Sequence, residues 1–120
     1  ITSRRAIVMF PYDLTVISFY ELYHARVPLF LPSQRLALRY AFRGADSVAL
    51  CDTLATGHVP SHRRSPFLVQ SSLLARRFWL RYVDWYTWPG VQTFETLHGL
   101  VTALTVASPE ALRDLSEEMR

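Results

Sequence analysis

The chain has 120 residues, of which 50% are hydrophobic and 19% charged, and its formal net charge is +3. This hydrophobic content excludes a disordered segment, and the short length limits the chain to one domain with a modest core. The weak charge excludes the strong basicity typical of nucleic-acid-binding proteins, although it is compatible with a small anionic ligand.

A single cysteine excludes an internal disulfide, and no apolar run reaches the roughly 20 residues that a membrane-spanning helix needs. We therefore predict no membrane segment in this chain. Its first residue is isoleucine instead of methionine. We interpret residues 1–120 as a single partial domain of a longer protein, which leaves the localisation open.

The first quarter of the chain predicts one strand-helix-strand unit. Residues 6–10 (AIVMF) form a continuous apolar run, typical of a strand that is buried on both faces. A helix is predicted over about residues 14–26, with Asp13 or Thr15 as its N-cap. Residues 27–31 (VPLFL) then predict a second buried strand.

The predicted helix is apolar around nearly its whole circumference, so we expect it to be buried between the sheet and other elements. Glu21 lies on the one narrow face that remains. A buried carboxylate needs a partner, because an unpaired buried charge costs several kcal/mol. Two alternatives stay open for Glu21: an ion pair with Arg26 or Arg81, or contact with the hydroxyl groups of a ligand.

Ser33 is predicted to begin a second helix over about residues 34–43. Three arginines, Arg35, Arg39 and Arg43, follow one another at a spacing of four residues and form a basic stripe on it. Such a stripe is usually a solvated face. Contact with a phosphate or an acidic partner is the alternative.

Residues 44–66 predict mainly loop, with a short strand at 47–51. His58 and His62 have a spacing that two metal ligands on a helix would have. Because Pro60 between them argues against a regular helix, we predict no metal site.

Residues 67–88 predict an aromatic-rich helical region that begins at Ser71 or Ser72, in which Arg81 is within reach of Asp84 along a helix. Its many rings are typical of core or domain-interface packing. A stacking site for a cofactor or a base is the alternative.

A third short strand is predicted at residues 91–94, followed by a helix over 95–104. Residues 108–110 (Ser-Pro-Glu) predict the start of a last helix. Strands thus alternate with helices along the chain. This alternation predicts an α/β fold, a Rossmann-like open parallel sheet flanked by helices, with too few strands for a complete domain.

The stretch FPYDLTVISFYELYHARVPLFLPS resembles a segment in the C-terminal domain of GT-B glycosyltransferases. That segment is written E-A-x-A-x-G-x-P-V-I, and Glu21 takes the place of its glutamate and Pro28 that of its proline. Arg26 stands where the pattern has glycine. Asp13 and Glu21 are separated by seven residues, as the family's paired acids are. Most of the chain is moreover similar to uncharacterised glycosyltransferase-like proteins.

The resemblance implies the donor-binding portion of a nucleotide-sugar-dependent glycosyltransferase, which transfers a hexosyl group to an unknown acceptor. It implies a further, N-terminal domain in the same chain, and no metal, other cofactor or nucleic acid. Glu21 is implied to bind the ribose of the donor, and Asp13 to lie near the sugar as the catalytic residue. Thr15 and Ser18 would lie near the phosphates, with Tyr12 also in the donor site.

Two other functions compete with this one. A non-catalytic glycosyltransferase-like interaction or glycan-binding module would have Arg26 paired with Glu21, which would close the ligand face. Nucleic-acid binding through the arginines and aromatic residues would show a steep salt dependence. Asp13 has an alternative too, as a plain N-cap.

Overall fold

In the part of the chain that the structure describes, three parallel strands form the centre of the fold. The structure is a computed structural model, and it describes residues 6–11, 16–40, 62–65 and 72–119. The strands lie side by side in chain order: β1 (Ile7–Val8), β2 (Leu29–Pro32) and β3 (Val91–Phe94). Both neighbouring pairs are parallel. The predicted α/β class and Rossmann-like open sheet are therefore confirmed.

Helices connect the strands and follow them. The described helices are α1 (Ile17–His24), α2 (Gln34–Tyr40), α3 (Leu73–Trp79), α4 (Leu97–Val106) and α5 (Pro109–Glu118). Helix α1 joins β1 to β2, which is the predicted strand-helix-strand unit. The strand predicted at 47–51 lies outside the described residues, as does nearly all of the loop predicted over 44–66.

Strand β2 is buried along its whole length, as its apolar sequence predicts. Leu29 and Leu31 are 0% exposed and belong to the same core cluster as Phe19 of α1. Phe30 lies between them in sequence and packs on the opposite face of the sheet with Phe94. Because side chains alternate along a strand, β2 contributes to two separate cores, one on each face.

Helix α1 is buried along one stripe only, so the expectation that it is buried almost all round is wrong. Its buried residues are Phe19 and Tyr23, which lie one turn apart. Ile17 is 76% exposed, and Glu21 is exposed as well. The physical reason is that the sheet and residues 84–90 cover one side of α1, while the other side meets solvent in the described part of the chain.

The start of α1 also differs from the prediction. Its N-cap is Val16, and no side chain caps the helix there. Neither Asp13 nor Thr15 is the N-cap, and both residues lie outside the described ranges. Val16 is only 2% exposed. Burying a valine stabilises by roughly 1.5–3 kcal/mol, which outweighs the ~1 kcal/mol of a polar cap.

Helix α1 ends in a Schellman motif. The amide of Val27 donates to the carbonyl of Leu22 at 3.1 Å, and the amide of Arg26 donates to the carbonyl of Tyr23 at 2.9 Å. Arg26 has a φ of 54°, in the left-handed region that favours glycine. This is the position at which the glycosyltransferase pattern has glycine.

We expect Arg26→Gly to raise the free energy of unfolding by about 0.5–1 kcal/mol. Glycine removes left-handed strain of roughly 1–2 kcal/mol and adds roughly 0.5–1 kcal/mol of unfolded-state entropy. Urea denaturation of the two proteins measures the difference. Ala25→Gly is the control, because Ala25 has a right-handed φ of −74° and glycine there should destabilise. If Arg26→Gly and Ala25→Gly lowered the free energy of unfolding equally, the left-handed conformation of Arg26 in this motif would be contradicted.

The predicted helical region over 67–88 is interrupted. Helix α3 ends at Trp79, and two short 3-10 turns follow, Leu80–Tyr82 and Asp84–Tyr86, with an extended Val83 between them. Arg81 and Asp84 therefore do not lie along one helix as predicted, and these two described residues form no ion pair. The buried side chain of Val83, 6% exposed, enters the core at the point where the helix breaks.

Two tyrosine hydroxyl groups form hydrogen bonds that join residues 84–86 to α1 and β2. Tyr20 donates to the carboxylate of Asp84 at 2.6 Å, and Tyr86 donates to the carbonyl of Pro32 at 2.7 Å. The hydrogen bond to Asp84, followed by burial and the charge of Asp84, raises the pKa of Tyr20. This segment thereby holds α1 against the sheet.

The aromatic residues divide between core and surface. Trp85 is 1% exposed, and its ring lies 5.6 Å from that of Phe19; the ring of Trp88 lies at the same distance. For these rings the predicted core packing is confirmed. Tyr82 is exposed, although its ring lies 5.4 Å from that of Phe78.

Side-chain caps begin four of the five described helices, and the cap of α2 is Ser33, as predicted. Ser72 accepts from the amide of Ala75, and Ser108 accepts from the amide of Ala111, so the predicted starts of α3 and α5 are confirmed. Helix α4 begins two residues later than predicted, because Thr96 is its N-cap.

Candidate functional site

The carboxyl ends of the strands meet at one edge of the sheet, which is where open parallel sheets bind ligands. Ser33 directly follows β2, and Glu95 directly follows β3. The amide of Ser33 donates to the carbonyl of Phe94 at 2.9 Å, so the two segments stay together at the ends of the strands. The hydroxyl of Ser33 accepts from the amide of Leu36 at 3.2 Å, which turns the chain into α2.

A cleft of about 720 Å³ opens at this edge, between α2 and α3. Its charged and hydroxyl-bearing lining residues are Ser33, Arg35, Arg39, Arg77, Arg81 and Glu95. Arg35 and Arg39 lie one turn apart on α2. Arg77 belongs to α3, and Arg81 lies four residues later in the 3-10 turn. Helices from distant parts of the sequence thus bring four guanidinium groups to one cleft.

Positive charge dominates among the described residues of this cleft, which include four arginines and one carboxylate. All four arginines are exposed. Within the described ranges, the side chains of Arg35, Arg77 and Arg81 make no hydrogen bond or ion pair. Their donors therefore remain available to an anionic ligand. Arginine presents a planar fork of N–H groups that matches a phosphate or a carboxylate with two hydrogen bonds.

A second, smaller cavity adjoins the cleft. It has a volume of about 190 Å³, and its lining residues are Arg35, Leu36, Arg39, Glu95 and Thr96. Arg35, Arg39 and Glu95 line both cavities. These three side chains therefore stand where the two spaces meet.

The site residues predicted from the sequence lie elsewhere or outside the described ranges. Ser18 and Glu21 share the exposed face of α1, as their spacing predicts, but neither lines the cleft. Tyr12, Asp13 and Thr15 lie outside the described residues, so their donor-site roles stay predictions.

The carboxylate of Glu21 has no arginine partner in the described part of the chain. Neither Arg26 nor Arg81 forms an ion pair with it, although all three side chains are exposed. The left-handed backbone of Arg26 directs the chain away from the helix at this point. The specific contact that would close the ligand face of α1 is therefore not formed.

The sequence favours a solvated face for the stripe that contains Arg35 and Arg39, with contact to a phosphate or an acidic partner as the alternative, and it predicts no ligand contact for Arg77 or Arg81. The spacing of Arg35 and Arg39 was the available signal, and Arg43, the third member of the stripe, lies outside the described residues. Arg77 and Arg81 also lie four apart. The spacing alone does not show that α2 packs beside α3. This packing places the arginine pair of α2 and the pair Arg77 and Arg81 in the lining of one cleft.

The histidine pair predicted not to bind metal is described only in part. His58 lies outside the described residues, and the Nδ1 atom of His62 accepts from the amide of Arg64 at 3.2 Å. Among the described residues, no group of three or more His, Cys, Asp or Glu side chains is placed to hold a metal ion. No helix in the same ranges has the length and apolar character required to cross a membrane.

The cleft, the smaller cavity and the exposed face of α1 are the features on which a function can be argued. All three lie on or beside the parallel sheet, and the cleft stands at the edge where ligands of such sheets bind. Comparison with known proteins found no matching family model, curated protein or solved structure.

Proposed function

We propose that the chain is the donor-binding portion of a nucleotide-sugar-dependent glycosyltransferase, which transfers a hexosyl group to an acceptor held by another domain of the same protein. The observation that carries this proposal is the cleft with four arginines at the carboxyl edge of a parallel sheet. In the proposal, this cleft receives the diphosphate of the donor.

The chemistry of the cleft fits a diphosphate. A nucleotide-sugar diphosphate carries two negative charges and several acceptor oxygens, and guanidinium groups form short charge-assisted hydrogen bonds to such oxygens. When the glycosidic bond breaks, the leaving nucleoside diphosphate gains negative charge. Guanidinium groups in contact with it would stabilise that charge. The proposal includes no metal ion, since the arginines supply the positive charge.

The exposed face of α1 supplies the second part of the proposed site. Glu21 and Ser18 lie on this face with their side chains in solvent, and no ion pair with a described residue occupies the Glu21 carboxylate. A carboxylate of this kind accepts hydrogen bonds from the two hydroxyl groups of a ribose. Asp13, which precedes α1, keeps its proposed catalytic role beside the transferred sugar.

Titration of UDP-, GDP- and ADP-glucose against the full chain tests the proposal. We expect one of the three donors to bind, and Glu21→Ala to weaken that binding roughly 10-fold, because the variant removes a charged acceptor for the ribose. Isothermal titration calorimetry measures both proteins.

Glu117→Ala is the matched control, since Glu117 is an exposed carboxylate on α5 that lines neither cavity. It should bind the donor as the wild type does. Equal binding by wild type and Glu21→Ala would remove Glu21 from the donor site. Failure of all three donors to bind would reject the proposed function.

A further inference from the structure

Among the described residues that line the cleft and the smaller cavity, Glu95 is the one carboxylate. It follows the last residue of β3 and stands at the junction of the two spaces, together with Arg35 and Arg39. In a site that binds only phosphate, a carboxylate at this place would repel the ligand. Its presence therefore requires an explanation.

The ordinary explanation would be an ion pair that neutralises a neighbouring arginine. Glu95 forms no ion pair and no hydrogen bond with any residue in the described ranges, and its side chain is exposed. Its two oxygens consequently keep their full capacity to accept hydrogen bonds. A neutral ligand group that donates hydrogen bonds would use that capacity without meeting repulsion.

The smaller cavity has the size and chemistry for one such group. Its volume is about 190 Å³, many times the roughly 10–15 Å³ that a cavity needs to hold one water molecule. Its walls offer the guanidinium donors of Arg35, the carboxylate acceptor of Glu95 and the apolar side chain of Leu36. Sugar hydroxyl groups both donate and accept, and the ring between them is apolar, so each wall has a counterpart on a sugar.

We propose that the smaller cavity is a subsite for the sugar of the ligand, in which Glu95 accepts hydrogen bonds from sugar hydroxyl groups. This inference rests on the proposed function, because the diphosphate in the main cleft carries the sugar to the junction. Glu95 is a binding residue here and takes no part in bond breaking. It makes the site select a diphosphate that bears a sugar over one that does not.

The test compares each sugar nucleotide with the same nucleotide lacking its sugar, in wild type and Glu95→Ala. Isothermal titration calorimetry of UDP-glucose with UDP, GDP-glucose with GDP, and ADP-glucose with ADP gives the affinity ratio for each pair. For the donor that binds, we expect wild type to prefer the sugar nucleotide by roughly 10-fold and Glu95→Ala to reduce this preference to about one. Binding of the bare diphosphate should be equal or tighter in the variant.

Glu117→Ala again serves as control and should keep the wild-type ratio. Since Glu95 is exposed, thermal unfolding of the variant should match the wild type. If nucleotide and sugar nucleotide bind but Glu95→Ala keeps the wild-type ratio, the subsite is wrong while the proposed function stands. If no nucleotide and no sugar nucleotide bind to the wild type, both proposals fall.

Discussion

Replacing Phe19 with alanine is expected to lower the free energy of unfolding by about 3–5 kcal/mol, the range for large buried aromatic side chains. Phe19 is 0% exposed, and its ring lies 5.6 Å from the rings of Trp85 and Trp88. The same cluster contains Leu29 and Leu31 of the central strand. Alanine would leave a cavity at the contact between α1, β2 and residues 84–90. Urea denaturation should show a lower midpoint with the same slope.

Ile17→Ala provides the control on the same helix. Ile17 is 76% exposed, and surface substitutions usually change the free energy of unfolding by no more than about 0.5 kcal/mol. The two variants together test the finding that α1 is buried on one side. A large loss for Ile17→Ala would mean that another layer covers α1, as the apolar sequence of the helix predicts.

The sequence predicts the fold correctly where a local signal, such as a helix cap or an apolar run, favours the same structure as burial in the core. Strand β3 occupies the predicted residues 91–94, and Ser72 and Ser108 cap helices as their sequence contexts predict. The continuous apolar run that ends at Leu31 predicts a strand buried on both faces, and alternating sides of β2 do enter two cores. In each case propensity, capping and burial favour the same structure.

The burial of α1 was not predictable for a different reason. An apolar side chain such as Ile17 indicates that burial would be favourable, but it does not show whether a second layer is present. Whether a helix meets one layer or two depends on elements far away in sequence. The same reason explains the break at Val83, where entry into the core outweighs continuation of the helix.

The sequence predicts where the candidate site lies but not which residues line it. A parallel α/β sheet predicts a ligand at its carboxyl edge, and the cleft lies there. The resemblance directed attention to Glu21, which occurs within a recognisable pattern. Arg35 and Arg77 belong to no such pattern, and they line one cleft only because two short helices pack together. At Arg26 the sequence departs from the glycine of the family pattern, but the backbone keeps the left-handed conformation that favours glycine. The departure in sequence therefore does not predict a departure in backbone structure.

Replacing Arg77 and Arg81 together with glutamine is expected to weaken binding of the proposed nucleotide-sugar donor by roughly 100-fold or more. Each guanidinium that hydrogen-bonds a phosphate contributes roughly 10-fold or more to affinity, and both side chains line the cleft. Both are exposed, so the free energy of unfolding should change by no more than about 0.5 kcal/mol for each substitution. Calorimetric titration at two salt concentrations measures the loss together with its electrostatic part.

The control must remove the same charge from outside the cleft, because the net charge of +3 itself attracts anions. Arg63→Gln with Arg113→Gln does so, since both arginines are exposed and line neither cavity. This control should lose at most a few-fold in affinity, and that small loss should disappear at high salt. Equal losses of affinity in the two double variants would mean that binding depends only on the net charge of the protein. A loss confined to Arg77 and Arg81 would mean that their fixed geometry holds the diphosphate.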